Sequence, residues 1–420
     1  MKVIVMGAGV IGVTTAYFLA KSGHQVTVLE KNSASSLGCS YANGGQLSYS
    51  HFEPFASKTS LPLIAKAFFT PNSFLSIKSF ADRNFIKWSF DFFKNCNEET
   101  TNSNSKKLCA LGNYSRNSLH EVLENEENIK FDYNDRGILH FYRNEKLFQK
   151  ALKHAEFQQS LGVKLHILNS EECLKKEPTL VKLYDEKKLV GGIFYDSDES
   201  GNSLLFTKTL EKICQEKYGV VFEYGAEIKN IFTNHVKITG VHTTRGVFTA
   251  NKYVYALGAY GNKVLRGIGV ESKIYPLKGY SLSIEANDEF IAPAMALTDV
   301  ENKIVYSRLG NIFRAAGAVE SCGLRGAKNT TKVDFLHTKI RATFSDFGNV
   351  NNSKEWCGFR PFRPNSIPLV GEVKKYGNLY INAGHGHLGW TLSCGSAKIL
   401  ANLMNGADEK KFAFLQDEFA

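Results

Sequence analysis

The chain has 420 residues, 43% hydrophobic and 22% charged, which suits two domains with a large core and excludes a disordered or collagen-like chain. The net charge of +10 is carried by basic residues interleaved with acids and without a long Lys/Arg block, so no nucleic-acid partner is expected. Eight cysteines are scattered without a CxxC pair, which predicts free thiols in a reducing compartment, with neither a disulfide framework nor a zinc site.

In chain order, Lys2 to Met6 is a short apolar run of the kind a strand buried on both faces shows. It runs into Gly7-Ala8-Gly9-Val10-Ile11-Gly12, then a helical segment from Val13 to Lys21 that Gly23 can stop, then a strand from Gln25 to Leu29 ending at Glu30. This is a βαβ unit whose glycine turn sets a phosphate on a helix N-terminus. Glu30 stands 18 residues after Gly12, close to the spacing of an acid that accepts bonds from ribose hydroxyls. A carboxylate there repels a 2′-phosphate, so NADP is disfavoured, while FAD and NAD both fit. The charge-free run Ile4 to Ala20 contains three glycines and no clean small-residue cleavage site, so it is not read as a signal peptide.

The loop Ser40 to Gln46 is rich in small residues and can lie flat against a planar cofactor. Residues 55–95 are apolar and aromatic; Phe85, Ile86, Trp88, Phe92 and Phe93 give a helical stripe expected to face the core. Lys58, Lys66, Lys78, Arg83 and Lys87 in this segment also allow a peripheral membrane contact. Glu98 to Ser105 reads as a polar loop, followed by helices over 106–124 and 145–161 with a strand at 137–142 between them, and a strand at 189–194. The turn cluster Asp196 to Asn202 marks a crossing between domains, and a helix over 203–217 follows. GVVFEYGAEIKNI (219–231) and KITGVHTT (237–244) read as strands, and Lys252 to Leu257 as a further strand that breaks at Gly258. That second strand-to-glycine junction brings more backbone to the same dinucleotide, which implies an inserted domain. Residues 276–350 read as antiparallel strands with one helix at 331–344.

The C-terminal part carries Gly358-Phe359-Arg360-Pro361-Phe362-Arg363-Pro364, then strand 378–383, and a loop in which Gly384, Gly386 and Gly389 flank His385, His387 and Trp390. Arg is the side chain that grips a carboxylate bidentately, and prolines fix the backbone beside Arg360 and Arg363. The loop enters a helix from about Leu392 to Met404, so helix N-terminal amides face its contents. His385 and His387 have no third ligand at a recognised spacing, and no metal is expected.

Taken together, Gly7 to Gly12 with Glu30, Ser40 to Gln46, Pro276 to Tyr280, Gly358 to Pro361 and Gly384 to Thr391 resemble the D-amino-acid-oxidase-like family of FAD-dependent oxidoreductases, on its dehydrogenase side. The resemblance implies an α/β fold: a discontinuous Rossmann-type FAD-binding domain (1–55, 196–275, 355–420) and an antiparallel-sheet substrate domain (56–195, 276–354). It implies that Val3, Ile4, Val5, Met6, the glycine turn, Val13, Thr14, Thr15, Ala16 and Tyr17 cradle non-covalent FAD, with Glu30 and Lys31 at the ribose and Ile228 at the adenine. Ser40, Asn43, Gly44, Gln46, Leu388, Gly389, Trp390 and Thr391 then lie along the ribityl chain and flavin ring, with Gly258 beside the dinucleotide. Arg360 matches the arginine that holds the substrate carboxylate; Tyr280 and His387 are further candidates for the substrate pocket.

The implied activity is oxidation of D-amino acids, D-alanine among them, to 2-oxo acids and ammonia. Electrons pass to a quinone-type acceptor, in a cytoplasmic protein that touches the inner face of the membrane. An oxidase acting on glycine or an N-methyl amino acid and a flavin-dependent tRNA-modifying enzyme share the fold and stand as alternatives. Arg363, Asn365, His387 and Asn202 depart from the dehydrogenase pattern, and Arg363 is expected to enlarge or recharge the mouth of the site.

Overall fold

The computed structural model describes residues 1–69, 73–286, 292–345 and 352–416; the side chain of Lys66 is outside what is described. Strand Lys2–Met6 lies at the centre of a six-stranded sheet, parallel to Gln25–Glu30 on one side and Lys252–Tyr255 on the other, with Ile4 opposite both Thr27 and Tyr253. Val221–Tyr224 and Leu379–Ala383 extend it in parallel, and Leu369–Glu372 closes one edge antiparallel.

Side chains alternate across a strand, so Val3 and Val5 enter one core while Ile4 and Met6 enter another. The first core is filled by helices Val10–Lys21, Ser203–Tyr218 and Gly389–Met404 with Glu98–Asn125. The second is closed by Ile231, Ile238 and Val241 of a three-stranded sheet (228–248). Both faces are covered, which is why the sequence there is a continuous apolar run rather than an alternating one.

A second, nine-stranded sheet is mainly antiparallel, as expected for residues 276–350. Its longest strand, Tyr275–Glu285, lies between Ile312–Ser321 and Lys354–Phe362. Helix Thr330–Thr343 packs Val333, Leu336 and Ile340 into this sheet's core. Strand Lys354–Phe362 places Arg360 in the second sheet, and the boundary drawn at residue 355 falls inside that strand.

Four expectations are corrected. Glu98 to Ser105 is the first part of helix Glu98–Asn125: Asn97 accepts a bond from Thr100 N (2.9 Å), two glutamates sit in the first turn, and Asn104 and Ser105 are buried. Asn104 donates to Asn365 O (3.1 Å), while Glu98, Glu99, Asn102 and Ser103 form the solvent face of the same helix. Helix Val10–Lys21 begins at Val10, because Gly9 is its N-cap. The run 219–231 is two strands in two sheets, parted at Gly225 (φ +68°). In helix Arg83–Asn95 Trp88 and Phe92 are buried, but Ile86 (43%) and Phe93 (50%) face outward, since they lie on the opposite side of the helix.

Candidate active site

Both sheets contribute to one cavity of about 1220 Å3. At one end lies the turn between Met6 and Val10. Gly7 adopts φ +107°, and a Cβ on Gly12 would sit 1.8 Å from Gly7 O, so helix and strand approach more closely than any side chain allows. Helix Val10–Lys21 has no side-chain cap hydrogen bond and no acid in its first turn. Ser40 Oγ takes one of its free amides, from Val10 N at 3.0 Å. Helix Gly389–Met404 likewise starts on this cavity with neither a side-chain cap hydrogen bond nor an acid in its first turn. Two helix N-termini open onto one space, and each favours negative charge there.

Glu30 is buried, accepting Ala8 N (2.8 Å) on Oε2 and Asn32 N (3.0 Å) on Oε1. Lys31 Nζ lies 3.8 Å over the Tyr260 ring beside it, and Ile228 and Gly258 complete this end of the wall. Asn43, Gly44 and Gln46 line the middle. Asn43 Nδ2 donates to Ser203 Oγ (2.8 Å), Gly44 O accepts Ser307 Oγ (2.7 Å), and Gln46 Nε2 donates to Leu297 O (3.0 Å). These bonds tie the loop to helix Ser203–Tyr218 and to the nine-stranded sheet. Leu388, Gly389, Trp390 and Thr391 face it, with Trp390 Nε1 donating to Gly201 O (3.1 Å) and Thr391 Oγ1 accepting Ser48 N (3.2 Å). A long groove with a glycine-lined anion cradle at one end and a flat, hydrogen-bonding slot at the other fits FAD. Val3, Val5, Val13, Thr14, Thr15, Ala16 and Tyr17 are buried behind the turn as its packing support, with Ile4 and Met6 on the opposite face of the strand.

The opposite wall belongs to the second sheet. Arg360 lies against Gly279, where an added Cβ would be 2.4 Å from the guanidinium carbon. Among the described residues its one hydrogen bond is to Ala318 O, at 3.4 Å. Ala318 has φ +54°, at the bulge where Tyr280 pairs with Gly317 and Gly279 with Val319, and it lines the cavity. No carboxylate pairs with Arg360 among the described residues. Burial lowers the Arg360 pKa, and the neighbouring Cys39 opposes the shift. The Cys39 thiol is itself pushed up to about 12 by burial. A desolvated cation facing a cavity is a receptor for an anion.

Tyr280 and His387 also reach the cavity. The Tyr280 hydroxyl is committed to buried Glu320 at Oε2 (2.5 Å), where exposed Lys78 (2.5 Å) and Asn329 (3.0 Å) hold Oε1 and buried Lys278 (3.5 Å) approaches Oε2. His387 stacks on Phe362 (5.8 Å between centroids), and burial, with His51 and Arg360, holds its pKa down to about 3. His385 is buried against Ser396 Oγ (3.0 Å). Arg363 is corrected: it is 2% exposed, donates to Ile367 O (2.7 Å) and packs behind Gly384, so it is an interior side chain. All eight cysteines are free, and among the described residues no three His, Cys, Asp or Glu side chains converge as metal ligands.

Sequence reasoning missed His51, His140 and Lys303 on the cavity wall. His140 carried a signal, as the lone polar residue in the buried strand Ile138–Tyr142.

The profile of the family described as FAD dependent oxidoreductase matches residues 2–403. The chain is 38% identical over 422 residues to the D-amino acid dehydrogenase of Dechloromonas aromatica, covering 99% of this chain and 100% of the relative. It is 37% identical over 407 residues to that of Paramagnetospirillum magneticum, covering 97% and 95%. Among solved structures, glycine oxidase from Bacillus cereus superposes with a TM-score of 0.75 at 20% identity, covering 99% of this chain and 97% of that one. L-proline dehydrogenase from P. horikoshii gives 0.74 at 17%, covering 99% and 96%. At those identities the structural likeness concerns the fold.

Proposed function

The chain belongs to the FAD dependent oxidoreductase family, and we propose that it is a D-amino acid dehydrogenase that deaminates D-amino acids, D-alanine among them, and passes the electrons to a quinone-type acceptor. The observation that carries this reading is Arg360: a half-buried guanidinium that lines the cavity and has no carboxylate partner among the described residues. When bound, FAD supplies the two-electron acceptor for the Cα–H bond. The chain's part is orientation. Arg360 holds the substrate carboxylate, and the bulge at Ala318 sets the guanidinium's position through its carbonyl. The amine, once neutral, gives an imino acid as hydride leaves Cα; water then yields the 2-oxo acid and ammonia. The cradle from Gly7 to Tyr17, with Glu30 and Lys31, is assigned to the dinucleotide, and 388–391 to the ring. Tyr280 acts through Glu320 as a wall element, and His387 as a substrate-side group.

The two-domain division fits this reading, with the cofactor on the six-stranded sheet and the substrate under the nine-stranded one. A cytoplasmic protein at the membrane face is supported by helix Arg83–Asn95, whose outer side exposes Ile86, Phe90 and Phe93 beside Arg83, Lys87 and Lys94. Among the described residues no helix is long and apolar enough to cross a membrane.

Anaerobic addition of D-alanine to the purified flavoprotein should bleach its visible flavin band, while L-alanine leaves it unchanged. Bleaching by no D-amino acid would overturn the reading. Rapid reoxidation by oxygen with peroxide release would move the protein to the oxidases.

A further inference from the structure

Beyond Arg360 the cavity continues into a second polar region built by three separate elements. His51 follows the Ser40–Gln46 loop, His140 lies on strand Ile138–Tyr142, and His387 precedes helix Gly389–Met404. The His51 ring is 5.4 Å from His140 and 6.3 Å from His387, edge to face in each pair, and His140 stands edge to face on Tyr195 at 4.8 Å. All four line the cavity. Tyr195 donates to Gln158 Oε1 (2.9 Å), and Gln158 Nε2 donates to Ser50 O (3.0 Å), so that hydroxyl is fixed and used. The three imidazoles differ: among the described residues none of their side chains makes a recorded hydrogen bond to the protein.

Burial holds the His51 pKa down to about 4, with Glu53 opposing and Lys303 and His154 adding to the shift. Burial, His51 and Lys303 hold His140 well below the usual range. The imidazoles are therefore neutral near pH 7, each with one donor and one acceptor. Lys303 and Glu53 lie beyond them as a cation and an anion on the same wall, and Glu53 accepts Thr59 Oγ1 (2.8 Å). Cations and anions line the cavity together, Lys58, Lys150 and Lys303 with Glu53 and Glu301. Polar groups that face a cavity without a protein partner take one from whatever enters.

We propose that His51, His140 and His387 form the side-chain pocket of the substrate, selecting uncharged side chains that both donate and accept hydrogen bonds: amide, imidazole or phenol. This rests on the reading of Arg360 as the carboxylate anchor, since the same end of the substrate must be fixed for its side chain to reach the imidazoles. A site with unpaired polar groups rejects an apolar isostere, because filling it with hydrocarbon leaves those groups unsatisfied. Small D-alanine leaves the pocket to water and turns over without gaining from it.

The test compares kcat/KM for D-glutamine with D-methionine, and for D-tyrosine with D-phenylalanine, in the FAD-loaded enzyme. The polar member of each pair should win by tenfold or more. His51→Leu and His140→Leu should each cut that ratio about tenfold through KM, with the flavin content per chain unchanged. His51→Gln and His140→Gln should restore most of it. A wild-type ratio near one, or a ratio that survives both leucine variants, would overturn the proposal. If no D-amino acid reduces the flavin, the proposed function itself has failed, and the two outcomes are thereby separate.

Discussion

The two walls of the cavity are made in opposite ways. On the cofactor side, polar atoms are committed: Glu30 to Ala8 N and Asn32 N, Ser40 to Val10 N, and Asn43 to Ser203. Recognition there comes from backbone shape, with two helix N-termini and a glycine turn that admits no Cβ. On the other wall the side chains themselves are the instrument: Arg360 and three imidazoles face the cavity with little or no protein partnership. A fixed cofactor can be read by geometry alone. A substrate that comes and goes needs groups held ready and unspent.

The comparison can be broken at its cofactor end first. Gly12→Val places a side chain against Gly7 O, and flavin-free or insoluble protein should result, at a cost of about 3 kcal/mol or more; flavin per chain, read by absorbance, is the check. Full flavin content in this variant would show that shape is not what holds the cofactor. Arg360→Ala should leave flavin content intact and lower kcat/KM for D-alanine by about 2–5 kcal/mol, mostly through KM, as steady-state kinetics will report. Equal loss of flavin would merge the two walls into one.

Beneath the substrate wall, Glu320→Ala leaves buried Lys278 with only the carbonyls of Gly326 and Ala327, and should destabilise the fold by about 3 kcal/mol in denaturant titration. Burial raises the Glu320 pKa, but hydrogen bonds from Lys78, Tyr280 and Asn329 outweigh it and bring the pKa to about 2. The folded value lies below the unfolded one. Its stabilisation is therefore fully present above about pH 4.5 and is lost as pH falls toward 2, a slope that the variant should lack. The smallest effect is expected far from both walls. Asn97→Ala removes the cap of helix Glu98–Asn125 and should cost about 1 kcal/mol in thermal melts without changing kcat.

The contrast also explains what the sequence revealed. Shape made of backbone leaves local marks: the glycines at 7, 9 and 12, the acid at Glu30 and the loop before Gly389 are contiguous motifs, and the cofactor end was legible from them. Arg360 was legible because prolines and glycines bracket it. His51 and His140 carry no motif, since what gathers them is the pairing of strand Ile138–Tyr142 with Ala296–Asp299 and Gly191–Tyr195, a long-range event. Arg363 misled for the converse reason: a charged residue in a proline-rich segment suggests a surface, and only the packing against Gly384 reveals an interior one. Residues 98–105 misled because an exposed polar helix face looks like a loop, while Asn104 turns inward, to Asn365.

The closure of the first helix on the last has a consequence for how the protein is made. Asn382 Nδ2 donates to Thr15 Oγ1 at 3.1 Å, and Thr14 Oγ1 to Ser393 O at 3.3 Å. The flavin slot is thus assembled from the two extremities of the described chain. During synthesis the glycine turn emerges at the outset, yet the slot is finished only when the segment near Thr391 has left the ribosome. Cofactor capture accordingly waits for strand Leu379–Ala383 and helix Gly389–Met404, long after the glycine turn itself has been made.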